Sequence, residues 1–277
     1  MQRTITTTLG ACLALIAGLA VAGPQQDIEA FQRHFKNQFP GVTMEGFGDG
    51  IYAIDDVRRD AWMNFEEFPP WEDDVAKGDK LFHTAFANGK GYADCFPSYK
   101  NGIRQDYPQW DAKRGEVMTL EWAINLCREA NGEKPLKYKK GAIAQLGAYL
   151  TSLSEGKKTN VVIPDDPAAL AAYEDGKRFY YSKRGQLNFS CANCHVDSAG
   201  RMARANLLSP ALGQTSHFPV YRKKWKSLGT LQRRYGGCNK QVRAKPFKAQ
   251  GSEYRNLEYF HTAMSNGVPI NGPASRQ

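Results

Sequence analysis

Two stretches of this chain read alike at a constant offset, and nothing else in the sequence constrains the fold as strongly. Tyr107-Pro108 is answered by Phe218-Pro219, Thr119-Leu120 by Thr230-Leu231, and Cys127 by Cys238, each 111 residues later. Leu146, Tyr149, Ser154 and Gly156 find Leu257, Phe260, Ser265 and Gly267 at the same offset. Upstream, Lys77-Gly78-Asp79-Lys80-Leu81-Phe82 leads to Cys95-Phe96-Pro97-Ser98-Tyr99, and Asp175-Gly176-Lys177-Arg178-Phe179-Tyr180 leads to Cys191-Ala192-Asn193-Cys194-His195. Cys95 and Cys127 are 32 residues apart but Cys191 and Cys238 are 47 apart, so the second half carries a 15-residue insertion. The period is too long for a solenoid and marks two similar domains.

Within each half the apolar spacing is helical. Val117, Leu120, Ala123, Ile124 and Cys127 predict a helix over 116–130; Ile143, Leu146, Ala148, Tyr149 and Leu150 predict another over 140–153; Pro167 to Tyr181 reads as a third. No strand pattern of any length competes. Val161-Val162-Ile163-Pro164-Asp165-Asp166-Pro167 reads as a hinge between the halves.

Cys191-Ala192-Asn193-Cys194-His195 is C-x-x-C-H, the attachment signature of c-type haem. Two thiols three positions apart each reach a vinyl group, and the adjacent imidazole meets the iron as its proximal ligand. A disulfide beside a chance histidine, or half of a zinc site, would need the same residues, but zinc also wants a second Cys/His pair at ligand spacing and none is present. The matching place in the first half has Ser98 for the second thiol and Tyr99 for the histidine, so no haem attaches there. The expected fold is therefore mainly α, a tandem duplication of two cytochrome-c-like domains of which the first lacks haem. Boundaries fall at residues 23–60 for an N-terminal extension, 61–160 for the haem-free domain and 161–277 for the haem domain. Cys95 and Cys127 face one former haem cavity, where they either pair as a disulfide or stay as two free buried thiols.

Residues 1–22 read as an address. Arg3 precedes an apolar run from Leu9 to Ala22 that ends Ala20-Val21-Ala22, which is the pattern of a secretory signal peptide cleaved near Ala22. The run is too short to span a membrane. Cleavage removes Cys12 and leaves five cysteines, an odd number for an exported chain. With Cys191 and Cys194 on haem and Cys95 matched to Cys127, the one over is Cys238. Its alignment with Cys127 puts it against the haem cavity of its own half, as the favoured sixth iron ligand over Met202, His217, His261 and Met264. In that reading Met264 is core, Met202 lies too close to the motif, and His217 is a surface histidine.

Charge points the same way. The chain has 37 Lys+Arg against 28 Asp+Glu, a formal +9, yet residues 198–252 hold twelve Lys+Arg and no Asp or Glu. The other 222 residues therefore sum to −3. Cations beside a thiol favour the thiolate and draw in an anion. Arg234 and Arg243 bracket Cys238 and are the expected substrate-binding pair; Gly236-Gly237 are expected to open the backbone between, while Arg222 to Lys226 read as a solvated or docking face. Nucleic acid is not expected for an exported haem protein without a recognition motif.

Arg234-Tyr235-Gly236-Gly237-Cys238-Asn239-Lys240-Gln241-Val242-Arg243, downstream of C-x-x-C-H in an exported tandem of cytochrome-c-like halves, resembles the SoxA family, the catalytic cytochromes of the SoxAX complexes of bacterial thiosulfate oxidation. The resemblance covers most of the mature chain and is of the single-haem type, since Ser98 and Tyr99 break the first site. It implies an L-cysteine S-thiosulfotransferase in the periplasm, joining thiosulfate oxidatively to a cysteine of the carrier SoxYZ. Electrons would leave through one covalently bound c-type haem to a c-type cytochrome acceptor, with SoxX as the heterodimer partner bringing a second haem. Residue by residue it implies haem on Cys191 and Cys194, His195 as proximal ligand, Cys238 as distal ligand and persulfide-bearing reaction centre, and Arg234 as substrate-binding arginine. The rival reading is a plain electron-transfer cytochrome with Met264 or His217 as sixth ligand and a basic face for an acidic redox partner.

Overall fold

The computed structural model describes residues 23–276, so the expected export leader lies outside the described residues. An N-terminal helix α1 (Pro24–Gln38) is followed by a 3-10 stretch at Gly46–Ala53 and by α2 (Asp56–Glu66). The first half then contains α3 (Glu72–His83), the short α4 (Tyr92–Cys95), a hairpin of β1 (Gln109–Asp111) and β2 (Glu116–Met118), α5 (Leu120–Ala130) and α6 (Ala142–Ser152). The second half repeats this series as α7 (Pro167–Tyr181), α8 (Cys191–His195), a small β3 (Met202–Ala203) and β4 (Asn206–Leu207) ribbon, β5 (Val220–Arg222) and β6 (Ser227–Gly229), α9 (Leu231–Gln241) and α10 (Ser252–Ala263). A final strand, β7 (Ala274–Arg276), pairs in parallel with β5.

The 111-residue offset survives in three dimensions. β1 pairs with β2 from Gln109↔Met118, and β5 with β6 from Val220↔Gly229, the same register moved by 111. Tyr107-Pro108 and Phe218-Pro219 are both cis. The helix crossings repeat as well. A Cβ on Gly78 of α3 would sit 2.0 Å from the Gln145 carbonyl of α6, and one on Gly176 of α7 would sit 2.0 Å from the Asn256 carbonyl of α10. Glycine is required at both because the two backbones touch there.

Two sequence expectations need correcting, and the N-terminal extension gains a place in the fold. Helix 116–130 begins only at Leu120: Glu116 to Met118 are strand β2, and the Thr119 hydroxyl caps α5 by accepting from Trp122 N at 3.2 Å. The short strands went unseen because three-residue hairpins are too brief for a period-2 pattern to register. The Val161–Pro167 segment is a fastened strap: Val161 is buried and exchanges two hydrogen bonds with the Asn266 side chain, at 2.8 and 2.9 Å. Finally, the N-terminal extension belongs to the second half. Ile28, Phe31 and Phe35 of α1 share one core with Tyr173, Tyr180, Leu257 and Phe260. Asp27 anchors that helix, accepting from Tyr173 Oη at 2.9 Å and pairing with Lys177 at 2.6 Å.

The first half has its own core, and aromatic rings fill it. Phe82, Phe86, Tyr92, Phe96 and Tyr99 pack with Leu120, Ile124, Ile143, Leu146 and Leu150, and Cys95 is disulfide-bonded to Cys127 at its edge. Tyr99, at the position matching His195, turns its hydroxyl to His83 Nε2 at 3.2 Å.

Candidate functional site

α8 carries the C-x-x-C-H residues, and its start is set by a reciprocal cap. The Ser190 hydroxyl accepts from Asn193 N and the Asn193 side chain accepts from Ser190 N, both at 3.1 Å. That fixes Cys191, Cys194 and His195 on one turn. The His195 ring is fixed in its turn: Nδ1 lies 3.0 Å from the Ser209 carbonyl. Gln214 packs against the same nitrogen at 2.7 Å and bonds Ser209 Oγ at 2.6 Å. Ser209 and Gln214 were not readable as site residues, because nothing in their spacing announces a contact with His195.

Opposite His195 stands α9. It is helical throughout, so Gly236 and Gly237 do not open the backbone, and Arg234 and Cys238 share one face at i and i+4. The Asn239 side chain locks the helix end by donating to Tyr254 Oη at 2.8 Å, while its carbonyl accepts from Ala244 N at 2.8 Å. Gly185, at φ 70°, brings the loop ahead of α8 against that end: a Cβ there would meet the Val242 carbonyl at 2.1 Å.

Cys238 is partly buried, and His195 and Arg234 lie close enough to act on its thiol. Burial raises its pKa, but the charges of Arg234 and Arg222 and the contact with His195 outweigh that and bring it down to about 7. Cys191 goes the other way, pushed up to about 12 by burial, and Cys194 is also raised. One thiol of three is thus tuned towards the nucleophilic form. The buried Tyr180 hydroxyl, which has no hydrogen-bond partner, lies in the electrostatic field of all three sulfurs.

The remaining expected residues separate. Arg243 is exposed at φ 58° beyond the end of α9 and is not among the cations acting on Cys238; Arg222, read as part of a docking face, is. His217 is buried, not superficial, because the cis Phe218-Pro219 turn and the Gly272 backbone close over it. Its neighbours Arg276 and Arg222 are cationic, and burial holds its pKa well below the ordinary histidine value. His261 is buried and bonded through Nδ1 to Tyr235 Oη at 3.0 Å. Met264 is core, and Met202 is exposed on β3.

Comparison with known proteins decides the family. The SoxA/TsdA cytochrome c domain matches residues 77–159 and 175–270. The SoxA subunit of L-cysteine S-thiosulfotransferase from Allochromatium vinosum is 54% identical over 98% of this chain and 97% of its own. The SoxA subunit from Chlorobaculum tepidum is 54% identical over 91% of this chain and 87% of its own. The chain belongs to the SoxA family.

SoxXA from P. pantotrophus, a crystal structure, matches this SoxA-family fold with a TM-score of 0.72 at 32% identity, over 79% of this chain and 84% of that one. The fold is thus mainly helical and of cytochrome c type, and a cytochrome c domain implies c-type haem. The residues present fit that group. Two thiols on one turn, an imidazole with its second nitrogen pinned by a carbonyl, and a low-pKa thiol facing the ring make a donor set for a covalently held, axially ligated iron. Among the described residues no group of three or more His, Cys, Asp or Glu side chains is arranged to hold a bare metal ion.

Proposed function

We propose that this chain is the catalytic subunit of a SoxAX-type L-cysteine S-thiosulfotransferase, with Cys238 as its reaction centre. The observation that carries the reading is the Cys238 thiol, held against His195 and brought down to about 7 by cationic neighbours. Cys191 and Cys194 would attach a single haem, and His195 and Cys238 would bind its iron. The first half holds none, its core being filled by Phe82, Tyr92 and Tyr99. The leader over residues 1–22 directs the chain to the periplasm, and no helix among the described residues is long and apolar enough to cross a membrane. SoxX is the heterodimer partner, SoxYZ the carrier, and a c-type cytochrome the final acceptor.

The reaction joins the outer sulfur of thiosulfate to the carrier cysteine: a thiol and thiosulfate give a thiol-bound S–S–SO3⁻ group, one proton and two electrons. Bound haem supplies one-electron acceptance at the sulfur where the substrate docks. The chain's own residues do the rest. Arg234 holds the dianion by charge-assisted hydrogen bonds over Cys238. Ser209 orients the His195 ring through Nδ1. Electron paramagnetic resonance of the oxidised protein, with mass spectrometry of the peptide bearing Cys238, tests this. The expected result is a low-spin thiolate-type signal, one haem per chain and an added sulfur on Cys238. A histidine–methionine type signal would overturn the assignment.

A further inference from the structure

The run Arg222-Lys223-Lys224-Trp225-Lys226 looks uniform in sequence and is not uniform in the fold. Lys223, Lys224 and Lys226 are exposed, and Lys223 lies over the Phe65 ring at 4.3 Å. Arg222 closes strand β5, where it is opposite Ser227 on one side and Arg276 on the other, and it is partly buried. Trp225 holds it there, with its ring 5.3 Å from the guanidinium carbon. Its Nε is buried without a hydrogen-bond partner, and among the described residues no carboxylate pairs with it. It lies within electrostatic reach of Arg234 and of Cys238, and burial beside Arg234 brings its own pKa down to about 10.

Arg222 and Arg234, neither paired with a carboxylate among the described residues, thus both act on the Cys238 sulfur. Each is costly to desolvate, and each raises the cost of the other. An anion placed between them relieves both, and two planar forks, one from α9 and one from β5, suit a tetrahedral dianion with oxygens to spare. We infer that Arg222 is a second substrate-binding arginine, completing with Arg234 a two-armed clamp for the sulfonate end of thiosulfate above Cys238. This rests on the proposed role of Cys238. It assigns the clamp to strand β5, and not to Arg243, which lies exposed past the helix end.

Equilibrium binding of radiolabelled thiosulfate to the haem-loaded complex, without the carrier, separates the possibilities. Arg222→Gln should weaken binding about tenfold or more, the usual cost of one charge-assisted contact. Arg222→Lys, which keeps charge but not the fork, should fall between it and the wild type, and so gives a second reading if Arg222→Gln folds poorly. Lys224→Gln, exposed on the same hairpin, should bind as the wild type does. In steady state the Arg222→Gln loss should fall mainly on KM. Equal binding by Arg222→Gln and wild type overturns the clamp and leaves the role of Cys238 standing. Unchanged affinity with a shifted haem spectrum overturns it too, assigning Arg222 to the haem's carboxylates. Failure of the wild-type complex to bind thiosulfate overturns the underlying function instead.

Discussion

Glu258 shows how a single residue can report on the interior. It is buried on α10, accepts one hydrogen bond from Gln232 Nε2 at 3.0 Å, and shares its surroundings with the buried Glu121 and Arg104. Burial first, then the Glu121 charge, raise its pKa from 4.5 to about 8, with Arg104 and Gln232 opposing. A carboxyl raised in the fold keeps its proton at pH values where the unfolded chain has lost it. The folded state then binds more protons, and stability falls as pH rises from 4.5 towards about 8, levelling off above. Thermal melts of the haem-loaded protein across that window should show this decline, and Glu258→Gln should flatten it; superimposable profiles would contradict it. Residue-level placement was legible where spacing encodes it, as in Cys191, Cys194 and His195 on one turn; the four-residue step from Arg234 to Cys238 was masked by Gly236-Gly237, which were expected to open the helix and do not. It was unreadable where a contact is made across the fold, as with Ser209 on His195 or Arg222 beside Cys238, because no local period links residues brought together by a turn.

At the scale of elements, the repeated helix crossing is the most exacting feature. Gly78 and Gly176 each admit a neighbouring backbone carbonyl where a methyl group has no room. Gly78→Ala and Gly176→Ala should each cost about 1–3 kcal/mol or more in denaturant unfolding, as overpacked contacts do. Only the Gly176 variant should also loosen the haem half, since α7 leads to Cys191. A neutral Gly176→Ala would mean the helices cross differently. The long helices were legible from their apolar spacing and caps, and α7 runs from Pro167 to Tyr181 as read. Helix α9 was harder: two adjacent glycines cost a helix roughly 1 kcal/mol each, and tertiary packing overrides that preference here. Asn239 on Tyr254 and the close approach of Gly185 to Val242 supply that packing.

Across the whole molecule, the first half acts as the frame that positions α9. Thr230, at the start of that helix, donates from Oγ1 to the Tyr138 carbonyl at 2.9 Å and accepts no capping bond of its own. Thr119 donates to Gln250 Oε1 at 2.8 Å, Gln250 N donates to Gln232 Oε1 at 2.6 Å, and Arg255 pairs with Glu116 at 2.5 Å. The Thr230, Thr119 and Arg255 bonds cross between the halves; those of Thr230 and, through Gln250, Gln232 reach the helix of Arg234 and Cys238, while Arg255 lies on α10. The duplication itself was visible in sequence; this coupling was not, since it depends on side chains far apart in the chain. Replacing Cys95 and Cys127 together by serine should destabilise the protein by about 3–4 kcal/mol, the entropy of opening a loop of that size. Haem content should stay the same, because neither residue reaches the second half's core; haem loss would show that the first half does more than frame it.

The central claim is that the sulfur chemistry happens at Cys238. Its most direct measurement is the thiosulfate-dependent reduction of haem in a Cys238→Ala complex that retains covalent haem, with the carrier protein present. The account predicts loss of that activity by orders of magnitude together with a changed haem spectrum. A variant with the wild-type spectrum and full activity would show that Cys238 neither binds the iron nor meets the substrate.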